Sequence, residues 1–122
     1  HIIDLNIENL SEEKMKENVS KIVDFILQTP SREIIVEFKG QILKNFNLIK
    51  QFVNEFKNKN NKRISYKIET DLEDVDTNII DFLIDNKFNV WLPFKNTNFS
   101  DETFNSIKEI QRRHGKSSYQ FI

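Results

Sequence analysis

A chain of 122 residues, 38% hydrophobic with eleven Phe and 30% charged, is large enough to fold around its own core without covalent staples. Its net charge of −1 argues against nucleic acid as a partner, because neutralising phosphates takes a surplus of Lys and Arg. It contains no Cys, which excludes disulfides, thiolate metal ligands and thiol chemistry from this chain. No apolar run approaches a membrane span and no signal-peptide pattern opens these residues, so no membrane role is expected and the expected location is the cytoplasm.

Taken in chain order, Ile2 to Ile7 alternate, with Ile3, Leu5 and Ile7 opposite Asp4 and Asn6, and predict a short strand. Ser11 reads as the N-cap of a first helix, with Glu12 and Glu13 at its positive end and Leu10 stapled onto Met15. Met15, Val19, Ile22, Val23, Ile26 and Leu27 share one helical face until Pro30 stops the element. A second strand spans Glu33 to Phe38 and closes at Gly40. A second helix from about Asn47 to Lys57 carries Ile49, Phe52, Val53 and Phe56 at i, i+3, i+4 and i+7.

The Lys/Asn-rich stretch from Lys57 to Lys62 predicts a loop, and Arg63 to Thr70 a third strand, with Ile64, Tyr66 and Ile68 against Ser65, Lys67 and Glu69. A third helix bears Ile79, Ile80, Leu83 and Ile84, and Asn89 to Phe94 make a fourth strand. The run from Asn98 to Phe104 then repeats the cap and staple that open helix one. Gly115 suits the left-handed residue that ends a fourth helix, and Ser117 to Ile122 make a fifth strand.

Strands alternating with helices predict a single α/β domain over residues 1–122, with a parallel sheet and right-handed crossovers. In a doubly wound sheet both faces are covered and strands read as continuous apolar runs. Here most strands have one apolar and one polar face, so the expected fold is a parallel β/α half-barrel, a partial TIM barrel with helices on one face of the sheet. The Ile34-Ile35-Val36 run is the exception, and it leaves a flavodoxin-like sheet as the competing architecture. The start at His1 and the stop at Ile122 within a predicted strand suggest a fragment of a larger protein.

From Leu10 to Val90, about two-thirds of the chain, the ordered segments resemble the radical SAM domain of SPASM-type peptide maturases. Lys39-Gly40-Gln41-Ile42-Leu43 stands where that family has GGEPLL, and Asn45-Phe46-Asn47-Leu48-Ile49-Lys50 is similar to its NFDLIK helix. Ser65 to Leu72 looks like its SITTNGTLL strand, and Asn78 to Leu83 like its EEIIDFL helix. The resemblance implies a partial TIM barrel and, in an active member, an iron–sulfur cluster on a CxxxCxxC loop that binds S-adenosylmethionine. Here Ile7 to Ser11 leaves no room for that loop and no Cys exists to form it. The acid of GGEP is replaced by Gln41, and Lys39 would repel the methionine ammonium. The TNG-like position is Thr70-Asp71-Leu72, and the SLDG-like position Pro93-Phe94-Lys95-Asn96.

The resemblance therefore implies a degenerate, non-catalytic radical-SAM-like binding or scaffold domain of a peptide-maturation protein. Its expected partner is a peptide substrate or a peptide-modifying enzyme, and no cofactor is expected. One alternative is an internal fragment of an active radical SAM enzyme, using S-adenosylmethionine and an iron–sulfur cluster supplied elsewhere. Another is a purely structural interaction domain pairing through exposed strand edges.

Ligands of parallel β/α proteins gather beyond the carboxyl ends of the strands. The candidate peptide-binding residues there are Glu37, Lys39, Gln41, Glu69, Asp71, Trp91 and Lys95, a polar floor with an aromatic wall. The simpler reading, which the sequence favours, has Glu37, Lys39, Lys67 and Glu69 pairing across neighbouring strands and solvating an open face. Asp71, Glu73, Asp74 and Asp76 crowd one loop but lack the spacing and Gly of an EF-hand, so they predict a cap for helix three and no metal site. His114 has no Ser or Cys partner in sequence, and no catalytic residue is assigned.

Overall fold

The computed structural model describes residues 2–7, 12–59, 62–70, 76–92, 101–114 and 119–121. Among them parallel strands alternate with helices, a mixed α/β architecture. The strands are β1 (Ile2–Asn6), β2 (Glu33–Lys39), β3 (Arg63–Glu69), β4 (Asn89–Leu92) and β5 (Tyr119–Phe121). The helices are α1 (Glu12–Leu27), α2 (Ile42–Asn58), α3 (Thr77–Asp85) and α4 (Asp101–His114). The chain divides into two compact units, His1–Ser65 and Tyr66–Ile122, with the boundary inside β3.

In the first unit β1 and β2 run parallel, with Ile3 beside Val36 and Leu5 beside Phe38, and Ile7 N–H donates to Lys39 C=O at 2.9 Å. The period of two puts Leu5, Ile34, Val36 and Phe38 on one face, where all are buried. Onto that face α2 lays Leu48, Ile49, Phe52, Val53 and Phe56, all buried, with the Phe52 ring 6.0 Å from that of Phe38. Helix α1 buries Val19, Val23 and Ile26 and packs against α2. Lys59, just past α2, ties the two together through ion pairs with Asp24 of α1 at 3.0 Å and Glu55 at 3.4 Å, and through a hydrogen bond to the Ser20 hydroxyl. Lys62 donates to Thr29 C=O. Lys57 and Lys59 thus lie at the end of α2, and Lys62 bonds just beyond the end of α1.

At the start of β3, Arg63 N–H donates to Arg32 C=O at 3.0 Å and its guanidinium pairs with Glu33 at 3.1 Å. An exposed pair of this kind adds little stability, but it marks β2 as the strand beside which β3 begins.

The second helix begins earlier than its hydrophobic period suggests. Ile42 opens it, and the backbone leaves helical geometry at Asn45 (φ −113°, ψ 16°) before the regular turns continue. The buried Asn45 amide donates to Gln41 C=O at 2.9 Å, a side-chain bond to the backbone of the kind that bends helices. The apolar period from Asn47 onward registers only the part beyond this kink. The other elements agree with expectation to within a few residues: β2 extends to Lys39, and β5 is described only as Tyr119–Phe121.

In the second unit β3, β4 and β5 run parallel, with Lys67 beside Asn89, Ile68 beside Val90, and Glu69 beside Trp91, which is itself beside Gln120. Its core holds Tyr66, Ile68, Ile79, Ile80, Leu83, Phe88, Val90 and Ile107. Tyr66 stacks on Phe88 with centroids 5.1 Å apart. Asp76 caps α3, its carboxylate accepting from Ile79 N–H at 3.0 Å, so one of the four clustered acids does the capping work expected of them.

The far end of α3 is a Schellman turn. Phe88 N–H donates to Leu83 C=O at 2.9 Å and Lys87 N–H to Ile84 C=O at 3.0 Å, while the Phe88 ring packs 5.6 Å from that of Phe82. Lys87 takes the left-handed position, at φ 55°, that glycine usually fills. Helix α4 docks on α3 through the Arg113 guanidinium, which pairs with Asp81 and reaches Asp85 at 4.0 Å. No helix among the described residues is long and apolar enough to cross a membrane.

Candidate functional site

In each unit the strands have a second face that the core does not use. In the first unit it carries Ile2, Asp4 and Asn6 of β1 beside Ile35, Glu37 and Lys39 of β2, in register. Ile2 is 62% exposed and Ile35 37% exposed, so the Ile34-Ile35-Val36 run is not buried on both sides. The polar end of this face lies toward the carboxyl ends of the strands. There Lys39 Nζ sits 2.7 Å from the Glu37 carboxylate. That pair runs along one strand rather than between neighbouring ones. Glu37 is buried apart from 9% of its surface, and Asp4 stands beside it in register, so Lys39 offsets a local excess of negative charge.

Gly40 follows at φ 141°, backbone territory that only glycine occupies without strain, and turns the chain from β2 into α2. Gln41 is exposed at the N-cap of α2; its carbonyl accepts from Asn45, and its side chain makes no capping bond.

In the second unit the corresponding face carries Lys67 and Glu69 of β3 beside Asn89 and Trp91 of β4. Lys67 Nζ lies 3.5 Å from the centroid of the Trp91 ring, a cation–π contact. Glu69 is exposed at the position next to Trp91. Thr70 N–H donates to Trp91 C=O at 2.9 Å and carries the pairing to the end of β3. The indole Nε1 of Trp91 and the Oδ1 of Asn89 are both buried, and neither has a hydrogen-bond partner.

Of the residues expected at the site, Glu37, Lys39 and Gln41 come together in the first unit and Glu69 and Trp91 in the second. Asp71 and Lys95 lie outside the described residues. Lys67 was legible as an open-face residue, but its relation to Trp91 depends on the register of β3 against β4, which strand alternation does not fix. Asn89 shares the face of Trp91 by its place two residues earlier in β4. The basic residues at the end of α4 are both paired: Arg113 reaches Asp81 and Asp85 of α3, and Arg112 pairs within α4 with Glu109 at 2.7 Å, on the exposed side of the helix. The Arg112 guanidinium holds the Glu109 carboxyl below its usual range.

An iron–sulfur cluster does not fit these residues. The sequence offers no thiolate, and the described residues contain no group of three or more His, Cys, Asp or Glu able to hold a metal ion. Comparison with protein-family models, with curated proteins and with solved structures gives no match for this chain.

Proposed function

We propose that this chain is a binding domain with the half-barrel architecture of the radical SAM fold, without that fold's cluster chemistry, and that it holds a peptide against the open faces of its strands as part of a peptide-maturation protein. Two relationships within the first unit support the half-barrel over a doubly wound sheet. Helices α1 and α2 pack on each other, as successive crossovers do when they return on the same face. In addition, β3 begins beside β2, bonded through Arg63 to Arg32 and Glu33, whereas a flavodoxin-like order would put it beside β1.

The observation that carries the binding role is the cluster of Trp91, Lys67 and Glu69 at the carboxyl ends of β3 and β4. It combines an aromatic surface with both signs of charge, where ligands of parallel β/α proteins gather. Calorimetric titration with S-adenosylmethionine and with a panel of short capped peptides tests the reading. Saturable heat with a peptide and none with S-adenosylmethionine is the expected result. Saturable S-adenosylmethionine binding would instead favour a piece of an active radical SAM enzyme.

A second reading, a structural interaction domain, draws on Ile2 and Ile35, which are register partners and both exposed. A concentration-dependent molecular mass that Ile35→Lys abolishes would favour it over peptide binding.

A further inference from the structure

Granting the peptide-binding function proposed above, we infer that Asn89 and Trp91 are its anchoring pair, and that they recognise the main-chain amide of an extended peptide. Buried polar atoms are nearly always hydrogen-bonded, and each exception calls for a physical cause. Among the described residues three such atoms occur: Asn86 Oδ1, at the end of α3, and two on residues two apart in one strand, Asn89 and Trp91, hence on the same face and with Cα atoms about 6.6 Å apart. The chemistry of this strand pair is complementary rather than alike: the Trp91 indole can only donate, and the Asn89 Oδ1 can only accept.

A single ligand group that satisfies both must offer an acceptor and a donor close together, which is what an amide offers. A carboxylate offers acceptors alone and would leave Asn89 Oδ1 unpaired. An ammonium or guanidinium offers donors alone and would leave the indole unpaired while meeting the charge of Lys67. An extended peptide repeats C=O and N–H along its length, and crossing the open face it can turn one such pair toward the Asn89 and Trp91 side chains. Lys67, whose ammonium covers the indole ring, is the side chain the peptide displaces.

The full chain, labelled with nitrogen-15, is titrated with capped triglycine, which presents main-chain amides and no side chains, and in parallel with acetate. Trp91 is the only Trp, so its indole N–H gives one signal. That signal is expected to move downfield and saturate with triglycine and to stay in place with acetate. Asn89→Leu and Trp91→Phe are each expected to weaken triglycine binding about tenfold, the size of one hydrogen bond. Asn89→Leu, which replaces an unpartnered acceptor with an apolar group of similar shape, is also expected to raise the urea midpoint, so stability and affinity move in opposite directions.

Saturable triglycine binding that leaves the indole signal unmoved and both variants at full affinity would refute the anchoring pair while leaving the peptide-binding function standing. Failure of triglycine and of every peptide in the panel to bind would remove both. Saturable acetate binding at the indole would make the site an anion site and overturn the amide assignment. A lower urea midpoint for Asn89→Leu with unchanged affinity would show that Asn89 serves an internal hydrogen bond, and would overturn it as well.

Discussion

Lys67 holds its ammonium 3.5 Å from the centre of the Trp91 ring, on the strand face that the core leaves open. The contact joins β3 to β4 and holds the indole against a charged side chain of the neighbouring strand. A half-buried cation–π contact contributes about 1 kcal/mol. Lys67→Gln keeps the polar character and much of the length of the side chain but removes the charge. It is expected to lower the urea midpoint by an amount corresponding to about 1 kcal/mol and to change the emission of the only Trp. Unchanged emission and stability would mean that the ammonium spends its time elsewhere.

The turn after α3 makes a prediction of the opposite sign. Its Schellman hydrogen bonds require a left-handed residue, and Lys87 fills that place at φ 55°. A side chain there is strained by contact between its Cβ and the carbonyl oxygen, which glycine avoids. Lys87→Gly is therefore expected to stabilise the protein by up to about 1 kcal/mol, read as a higher midpoint with an unchanged slope in urea. Gly40, at φ 141°, is the converse case: Gly40→Ala is expected to cost about 1–3 kcal/mol.

How much of this was legible in the residues follows from the range of each interaction. The elements could be read because their signals are local: the alternation of Ile64, Tyr66 and Ile68, the i, i+3, i+4 and i+7 spacing of Ile49, Phe52, Val53 and Phe56, and the carboxylate of Asp76 before α3. The start of α2 was misjudged because its first turn is separated by a kink at Asn45, and nothing in a hydrophobic period announces a side chain bonding to the backbone four residues back. At the site, Trp91 stood out as an aromatic residue on a polar face. Lys67 did not, because its meeting with Trp91 comes from register, which is set by packing over the whole strand pair, and Asn89 did not, because alternation gives its face and not the burial of its Oδ1. The same limit applies to Glu37 and Lys39. Their charges suggested pairing between strands, and the geometry has them paired along β2.

Asp76 gives a direct test of the α3 start. Its carboxylate accepts from Ile79 N–H and satisfies one of the donors that an α-helix leaves open at its N-terminus. Asp76→Ala is expected to cost about 1 kcal/mol, and Asp76→Asn, which keeps the accepting oxygen but loses the charge near the helix dipole, a few tenths. The neighbouring acids serve as an internal control, since a metal-dependent loop would show a calcium-dependent change in urea midpoint. The capping account expects none, and equal midpoints for the wild type and Asp76→Ala would show that the cap adds nothing.

Tyr66 links the core of the second unit to alkaline pH. It is buried on β3 and stacked on Phe88, and burial disfavours the charged phenolate, which raises its pKa from the ordinary value of 10.0 to about 12. The sign follows from proton binding. Below about pH 10 folded and unfolded chains both keep the phenolic proton, and Tyr66 contributes no pH dependence. Between about pH 10 and 12 the unfolded chain releases that proton while the folded chain retains it, so stability falls as pH rises, with a slope approaching one proton per molecule. Lys59 acts in the same direction, its pKa raised chiefly by the hydrogen bond to Asp24, so the total alkaline loss does not isolate the tyrosine. Tyr66→Phe does. It keeps the ring on Phe88 and removes the ionisable group, so urea midpoints measured from neutral pH to pH 12 should fall less steeply in the variant, with the two curves parting only above about pH 10. Curves that stay parallel would place the Tyr66 hydroxyl in water and contradict the packing of β3 against the second core.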